Sequence, residues 1–281
     1  MGHSRAGYRE WACPKTGIWP LVMSDERAPL GVRYLGGPTA LLELGGLRLL
    51  TDPTFDPPGD YPIGDRALRK TIGAVVSQEQ AGRVDAVLLS HDQHPDNLDR
   101  QGRDYLASAP LVLSTAAARQ RLGGTVRALE NWQDRELPRG IATPLRVTGV
   151  PARHGPPGCE PVTGPVTGFV LTGEGLPTVY ISGDNAAPEH AAAVAERFGP
   201  VDVAILFAGA ARTPLLDGYL TLTSEQAAQA AVTLGASHVV PLHFEGWAHF
   251  SEGREALEAA FTAVGRRDRL HVLQLGQHVT I

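Results

Sequence analysis

Residues 91–99 read His91-Asp92-Gln93-His94-Pro95-Asp96-Asn97-Leu98-Asp99, so two imidazoles and up to three carboxylates fall within nine positions. They follow Val87-Leu88-Leu89-Ser90, a run of buried-strand character, and precede a helix expected from about residue 97. Packing does not call for such a density of polar donors at a strand end. A divalent cation does: it needs several deprotonated ligands at roughly 2 Å, and neutral imidazole with carboxylate suits zinc, manganese or iron. This turn is therefore half of a metal site, and the other half must come from downstream.

Three later stretches end expected strands with the same chemistry: Pro151-Ala152-Arg153-His154-Gly155, Tyr180-Ile181-Ser182-Gly183-Asp184-Asn185 and Pro241-Leu242-His243-Phe244-Glu245-Gly246-Trp247. Leu49-Leu50-Thr51-Asp52-Pro53 precedes them all. On these residues the chain from about residue 31 onward resembles the metallo-β-lactamase superfamily, whose signature H-x-H-x-D-H is commonly followed by Leu-Asp. Within it the chain is most similar to the lactonase-like branch of ascorbate-phosphate lactonases and predicted zinc-dependent hydrolases. The resemblance implies a four-layer αββα sandwich, two sheets face to face with helices outside and the metal site along one edge.

It also implies a ligand set. The first two histidines and the third-station histidine hold one metal; the Asp, the adjacent His and the last histidine hold a second; the fourth-station Asp bridges them. Carried over, His91 takes the first position. The motif has one extra residue before Asp96, so the second ligand is His94 counted back from Asp96, or Gln93 counted forward from His91; the imidazole is the better donor. His154, Asp184 and His243 fill the remaining stations. Asn97 stands where many members carry histidine, and a neutral amide oxygen binds zinc far more weakly. One firmly held Zn2+ or Mn2+ on His91, His94 and His154 is expected, with a weaker or empty second site on Asp96, Asp184 and His243.

The chemistry would be hydrolysis, because a bound cation lowers the pKa of its water from about 15.7 towards 7 and polarises the scissile carbonyl or phosphoryl oxygen. Asp96 and Asp184 are the candidate catalytic residues that orient the nucleophile and take up its proton. No G-x-S-x-G elbow competes for the role. Asp52 either steadies a ligating histidine with its carboxylate or simply opens an Asp-Pro turn. His249 is either an acid or substrate contact or a solvated residue at a helix start. Trp247 and Tyr219 are candidates for an apolar wall, and Cys159 is an unpaired thiol with a place in the pocket as the alternative. His190, His238, His271 and His278 are assigned to structure. The expected function is hydrolysis of a small ester, lactone or phosphate-bearing molecule. A non-catalytic binding or scaffold protein with a degenerate metal site, and a nuclease or phosphodiesterase of the same superfamily, are the alternatives.

Composition bounds the setting. A net charge of −5 provides no basic footprint for nucleic acid. No apolar run approaches the length of about 20 residues that spans a bilayer, and the start of the chain lacks a signal-peptide pattern, so the expectation is cytoplasmic with no membrane partner. Cys13 and Cys159 are too few for a disulfide framework. Nothing resembles a linker, so one domain is expected over residues 29–281, behind an arm over residues 1–28 whose Trp11 and Trp19 pack on the body.

The elements that must position the ligands follow from apolar period and turn residues. Strands are expected at residues 32–35, 39–44, 47–51, 85–90, 111–114, 145–150, 166–171, 178–181, 201–207, 238–242 and 269–275. Helices are expected at 97–108, 116–122, 188–198, 224–234 and 252–264. Gly45-Gly46 is a two-residue hairpin turn, and neither it nor Gly36-Gly37 has the spacing of a nucleotide loop. Residues 52–78, rich in Pro and Gly, are expected to form a long binding loop.

Overall fold

Alternating and continuous apolar runs pair into two large sheets in a computed structural model that describes residues 27–281. The expected arm, with Trp11, Cys13 and Trp19, lies outside the described residues apart from its last two positions. Strands β1 (Leu30–Gly36), β2 (Thr39–Leu44) and β3 (Leu47–Thr51) form an antiparallel meander. Gly45 and Gly46, both at positive φ, make the turn between β2 and β3 as the primed hairpin geometry requires. A separate hairpin, β4 (Gly59–Ile63) and β5 (Arg66–Lys70), comes next. Strands β6 (Ala86–Leu88), β7 (Val112–Ser114) and β8 (Val126–Ala128) then extend the first sheet in parallel from β3.

The second sheet contains β9 (Asp134–Arg139), β10 (Ala142–Ala152), β11 (Val166–Thr172), β12 (Val179–Ile181), β13 (Val203–Phe207) and β14 (His238–Leu242). Its order is β14-β13-β12-β11-β10-β9, with β12, β13 and β14 parallel. A last strand, β15 (His278–Thr280), returns to pair with β1, giving the first sheet the order β15-β1-β2-β3-β6-β7-β8. Between the sheets, Leu42, Leu49 and Leu88 from one side share a core with Phe169, Ile181 and Ile205 from the other.

Helices cover both outer faces. α1 (Gln78–Ala81) and α2 (Arg100–Leu106) contribute Ala81, Tyr105 and Leu106 to a cluster on the first sheet, and α3 (Ala116–Leu122) adds Leu122 at its margin. After the one-turn α4 (Glu160–Thr163), helices α5 (Pro188–Phe198), α6 (Ser224–Thr233) and α7 (Arg254–Ala263) pack small residues and Phe261 onto the second sheet. The architecture is the expected αββα sandwich.

Three expectations are corrected. Residues 269–275 form no strand: a single bridge joins Leu270 to Val239, and the Arg254 guanidinium takes the Val272 and Leu273 carbonyls that a ladder would use. The helix expected from 97 begins at Arg100, because Asp99 caps it by accepting the Gly102 N–H at 2.8 Å. The expected loop 52–78 contains the β4–β5 hairpin and ends where α1 begins.

Gly102 shows how tightly the strand-end turns are packed. A Cβ there would lie 1.9 Å from the Pro53 carbonyl oxygen, a backbone atom that cannot swing away. Gly102→Ala is therefore expected to lower stability by about 3 kcal/mol, seen as a drop in the urea midpoint. An unchanged midpoint would show that α2 can slide off this turn freely.

Candidate metal centre

Strand directions bring the ligand candidates to one edge. Asp52 follows β3, His91 lies three residues beyond β6, His154 two beyond β10, Asp184 three beyond β12, and His243 immediately after β14. The imidazoles of His91, His94 and His154 meet there: His94 Nδ1 lies 2.9 Å from His91 Nε2 and 3.1 Å from His154 Nε2. The opposite nitrogen fixes the His154 tautomer. His154 Nδ1 is 2.8 Å from the Leu220 carbonyl, which can only accept, so Nδ1 carries the proton and the Nε2 lone pair points inward. His91 Nδ1 has the Ser90 hydroxyl at 2.9 Å, a partner that can donate or accept, and its Nε2 faces the centre.

A second group adjoins the first. His243 Nε2 is 3.4 Å from both Asp96 Oδ2 and Asp184 Oδ1, while Asp184 Oδ2 is 3.5 Å from His154 Nε2. Asp184 therefore faces both groups, and each trio offers ligand atoms within 4.8 Å of one another. His249 Nε2 approaches Asp96 Oδ2 at 3.1 Å. Asp96 Oδ1, Asp184 Oδ2 and both ring nitrogens of His243 are buried without a hydrogen-bond partner. Each such atom costs about 1–3 kcal/mol unless something satisfies it. Convergent lone pairs and orphaned carboxylate oxygens are what a divalent cation would satisfy, so the residues fit one.

Electrostatics separates the two groups. Burial and the facing His154 imidazole bring His94 down to about 4. Burial and His94 hold His91 well below the ordinary imidazole range. Both are neutral at pH 7, the ligating form. At His243 burial opposes the charge, but the Asp184 and Asp96 carboxylates outweigh it and raise the group to about 10. Burial works against ionising Asp184 and Asp96; the facing His243 and His154 overcome it for Asp184, and the adjacent His243 and His249 imidazoles do so for Asp96, leaving both acids lowered.

A family model described as the beta-lactamase superfamily domain matches residues 47–244, which contain every one of these ligand candidates. The chain belongs to this superfamily. A metal-dependent hydrolase of Pyrococcus abyssi is 24% identical over 250 residues, covering 89% of this chain and 99% of its own. Among solved structures, a possible metal-dependent hydrolase from Veillonella parvula superposes with a TM-score of 0.77 at 18% identity, covering 90% of this chain and all of the other. An isothiocyanate hydrolase from Delia radicum gut bacteria gives 0.74 at 22%, covering 89% and 98%. At these identities the structural likeness carries the fold.

Around the superfamily motif, the neighbouring residues take definite places. Asp52 does more than open a turn: its Oδ1 accepts the Ser90 N–H at 2.6 Å, so it acts on His91 through Ser90. Gln93 does not face the imidazoles. Its amide donates to the Thr163 and Pro165 carbonyls and accepts from Arg121, which also pairs with Asp92, so the extra residue of the motif fastens the α4 wall instead of binding metal. Asn97 donates to Asp184 Oδ1 at 3.1 Å, steadying the carboxylate from the place where an imidazole was expected. His243 sits at φ 56°, costly for a residue with a side chain, and its N–H is held by the Gly37 carbonyl at 2.8 Å.

The centre forms the floor of a cavity of about 290 Å³, with His94, Asp96, His154 and His249 exposed to it. Ile63, Leu68, Val162, Leu215 and Leu220 supply the apolar wall. Trp247 and Tyr219 do not. Lys70 of β5 bridges to Trp247 and puts the indole beneath the hairpin, 5.7 Å from the Tyr61 ring, while Tyr219 lies outside against the Arg212 guanidinium. His249 is no helix-start residue; α7 begins later, at Arg254, and the imidazole is turned inward on Asp96. Cys159 is a buried free thiol away from the cavity lining. His190, His238, His271 and His278 also lie outside the centre.

The sequence singles out neither the apolar wall nor the two arginines of the lining, Arg66 and Arg212. Gly64-Asp65 between Tyr61-Pro62-Ile63 and Arg66-Ala67-Leu68 was the available signal for the hairpin that carries Arg66, obscured by Pro62.

Proposed function

We propose that the chain is a metal-dependent hydrolase of the lactonase-like kind, acting on a small ester, lactone or phosphate-bearing molecule with one firmly bound Zn2+ or Mn2+. The observation that carries this reading is the meeting of His91 Nε2, His94 Nδ1 and His154 Nε2, at 2.9 and 3.1 Å, on the floor of an apolar-walled cavity. When bound there, the cation supplies a water of lowered pKa and polarises the substrate's oxygen.

The chain's own residues do the rest. His91, His94 and His154 would hold the cation, and Asp184 would reach it from the second group. Asp96, ionised and in contact with His249, is placed to accept the proton of the attacking water; His249 keeps its carboxylate aimed at the floor. The apolar wall excludes water and strengthens these charges. The cavity volume favours a small molecule over a nucleic-acid strand. The proposed setting is the cytoplasm, with no nucleic-acid or membrane partner, and no helix among the described residues is long and apolar enough to cross a membrane.

The test is metal withdrawal. Hydrolysis of 4-nitrophenyl butyrate, a simple lactone or a phosphodiester should fall to background after chelation and dialysis, and return with zinc or manganese. Turnover that survives complete metal removal would overturn the metal-dependent mechanism, and full metal loading without turnover of any of them would favour the scaffold alternative.

A further inference from the structure

The cavity has a charge pattern that the metal chemistry does not use. Arg66 stands at the start of β5 and Arg212 just beyond the Ala211–Phe250 bridge, so two separate elements each present a guanidinium to the same wall. They are tied to one short segment: Arg66 Nη1 donates to Thr213 Oγ1 at 3.0 Å, and Arg212 stacks on Tyr219 with its guanidinium carbon 5.2 Å from the ring. Neither restraint uses up the group. One hydroxyl and one ring face leave most of the N–H donors of both side chains unspent. Among the described residues, no carboxylate lies within ion-pair distance of either arginine. Asp96 is the sole carboxylate of the lining, and it is engaged at the floor by His243 and His249. In a chain of net charge −5, the cavity thus has two unneutralised cations among the same lining residues as its apolar wall.

We infer that Arg66 and Arg212 form an anion subsite, and that the substrate is a small ester or lactone with a carboxylate or phosphate group separated from the scissile bond by a short apolar spacer. This deepens the proposed function and rests on it. Planar guanidinium donors match the oxygen pairs of both anions, and two exposed guanidinium residues lining one cavity can grip a single anion together. The spacer would lie against Leu68, Leu215 and Leu220, placing the ester over the floor while the anion stays at the arginines.

The experiment compares the zinc-loaded protein with Arg66→Gln, Arg212→Gln and the double variant on three 4-nitrophenyl esters: butyrate, hemiglutarate and 3-phosphonopropanoate. The intact protein should favour an anionic ester over butyrate in kcat/KM by at least about tenfold. Each single variant should lose roughly tenfold on that ester, mainly through KM, with butyrate turnover unchanged. Which anion is preferred separates the carboxylate source from the phosphate source. Butyrate turnover with no anionic preference, or a preference that survives in the double variant, overturns the subsite and leaves the hydrolase standing. If no ester is turned over, the hydrolase reading fails on these substrates, and calorimetric titration with glutarate and with 3-phosphonopropanoate decides the subsite separately. At least tenfold weaker binding of one of them by the double variant supports it; equal binding of both, or binding of neither by the intact protein, overturns it.

Discussion

Asp184→Asn is expected to cost at least about a thousandfold in kcat/KM, the equivalent of roughly 4 kcal/mol of transition-state stabilisation. One oxygen of this carboxylate faces His243 and the other faces His154, at 3.4 and 3.5 Å, so this member of the second ligand trio also reaches the first. Asparagine keeps the shape and removes the charge, so the loss would be electrostatic and not a packing defect. With its carbonyl kept on the Asn97 N–H, which now donates to Asp184 Oδ1, the new amide NH2 would stand where Oδ2 faces His154 and could offer a cation no lone pair there. The same preparation should retain less metal after dialysis, measured by mass spectrometry. A variant that keeps both its metal and its turnover would remove Asp184 from the bridging position.

A second cation should bind with a steep dependence on pH, unlike the first. Metal binds the neutral imidazole, so a proton on the ligand must leave first. His94, at about 4, and His91, held well below its ordinary range, carry none at neutral pH. His243, raised to about 10 by Asp184 and Asp96, carries one. The affinity of the Asp96-Asp184-His243 site should therefore rise about tenfold for each pH unit up to about 10, or roughly a hundredfold between pH 7 and 9. Competition titration with a chelating dye should resolve the two steps, and calorimetry in two buffers should find about one proton released with the second ion. Equal pH slopes for both ions would contradict the assignment. The sign for the metal-free fold is the reverse: a raised His243 stabilises it below its ordinary value of 6.5, and that contribution disappears as pH climbs to about 10. The asymmetry between the sites thus has a cause beyond the Asn97 substitution.

Much of this centre is legible in the sequence because its ligands terminate strands. His91, Asp184 and His243 each follow a buried apolar run, and such runs are the strongest local signal that a chain carries. The strands at Thr39–Leu44, Leu47–Thr51 and His238–Leu242 lie where periodicity puts them. What stays hidden depends on distant partners. The β4–β5 hairpin has charged and exposed residues on most of its length, so no apolar period marks it; Tyr61 and Lys70 are buried only because the rest of the fold closes over them. The role of His249 depends on the Ala211–Phe250 bridge, which turns its loop back over Asp96. Spacing leaves Gln93 as the poorer alternative to His94, and only the carbonyls of Thr163 and Pro165 reveal its use. The apolar stretch at 269–275 reads as a strand, yet Arg254 occupies the carbonyls that pairing would need.

The β4–β5 hairpin joins neither large sheet, and buried Lys70 ties it down through Asp99 at 3.1 Å and the bridge to Trp247. It behaves like a visor riveted at one end: the cation's ligands belong to the helmet, and the residues that judge an incoming molecule belong to the visor and the loop it meets. Selection can therefore reshape the visor's tip and redirect the enzyme to new compounds while its reactive machinery passes unchanged from one lineage to the next.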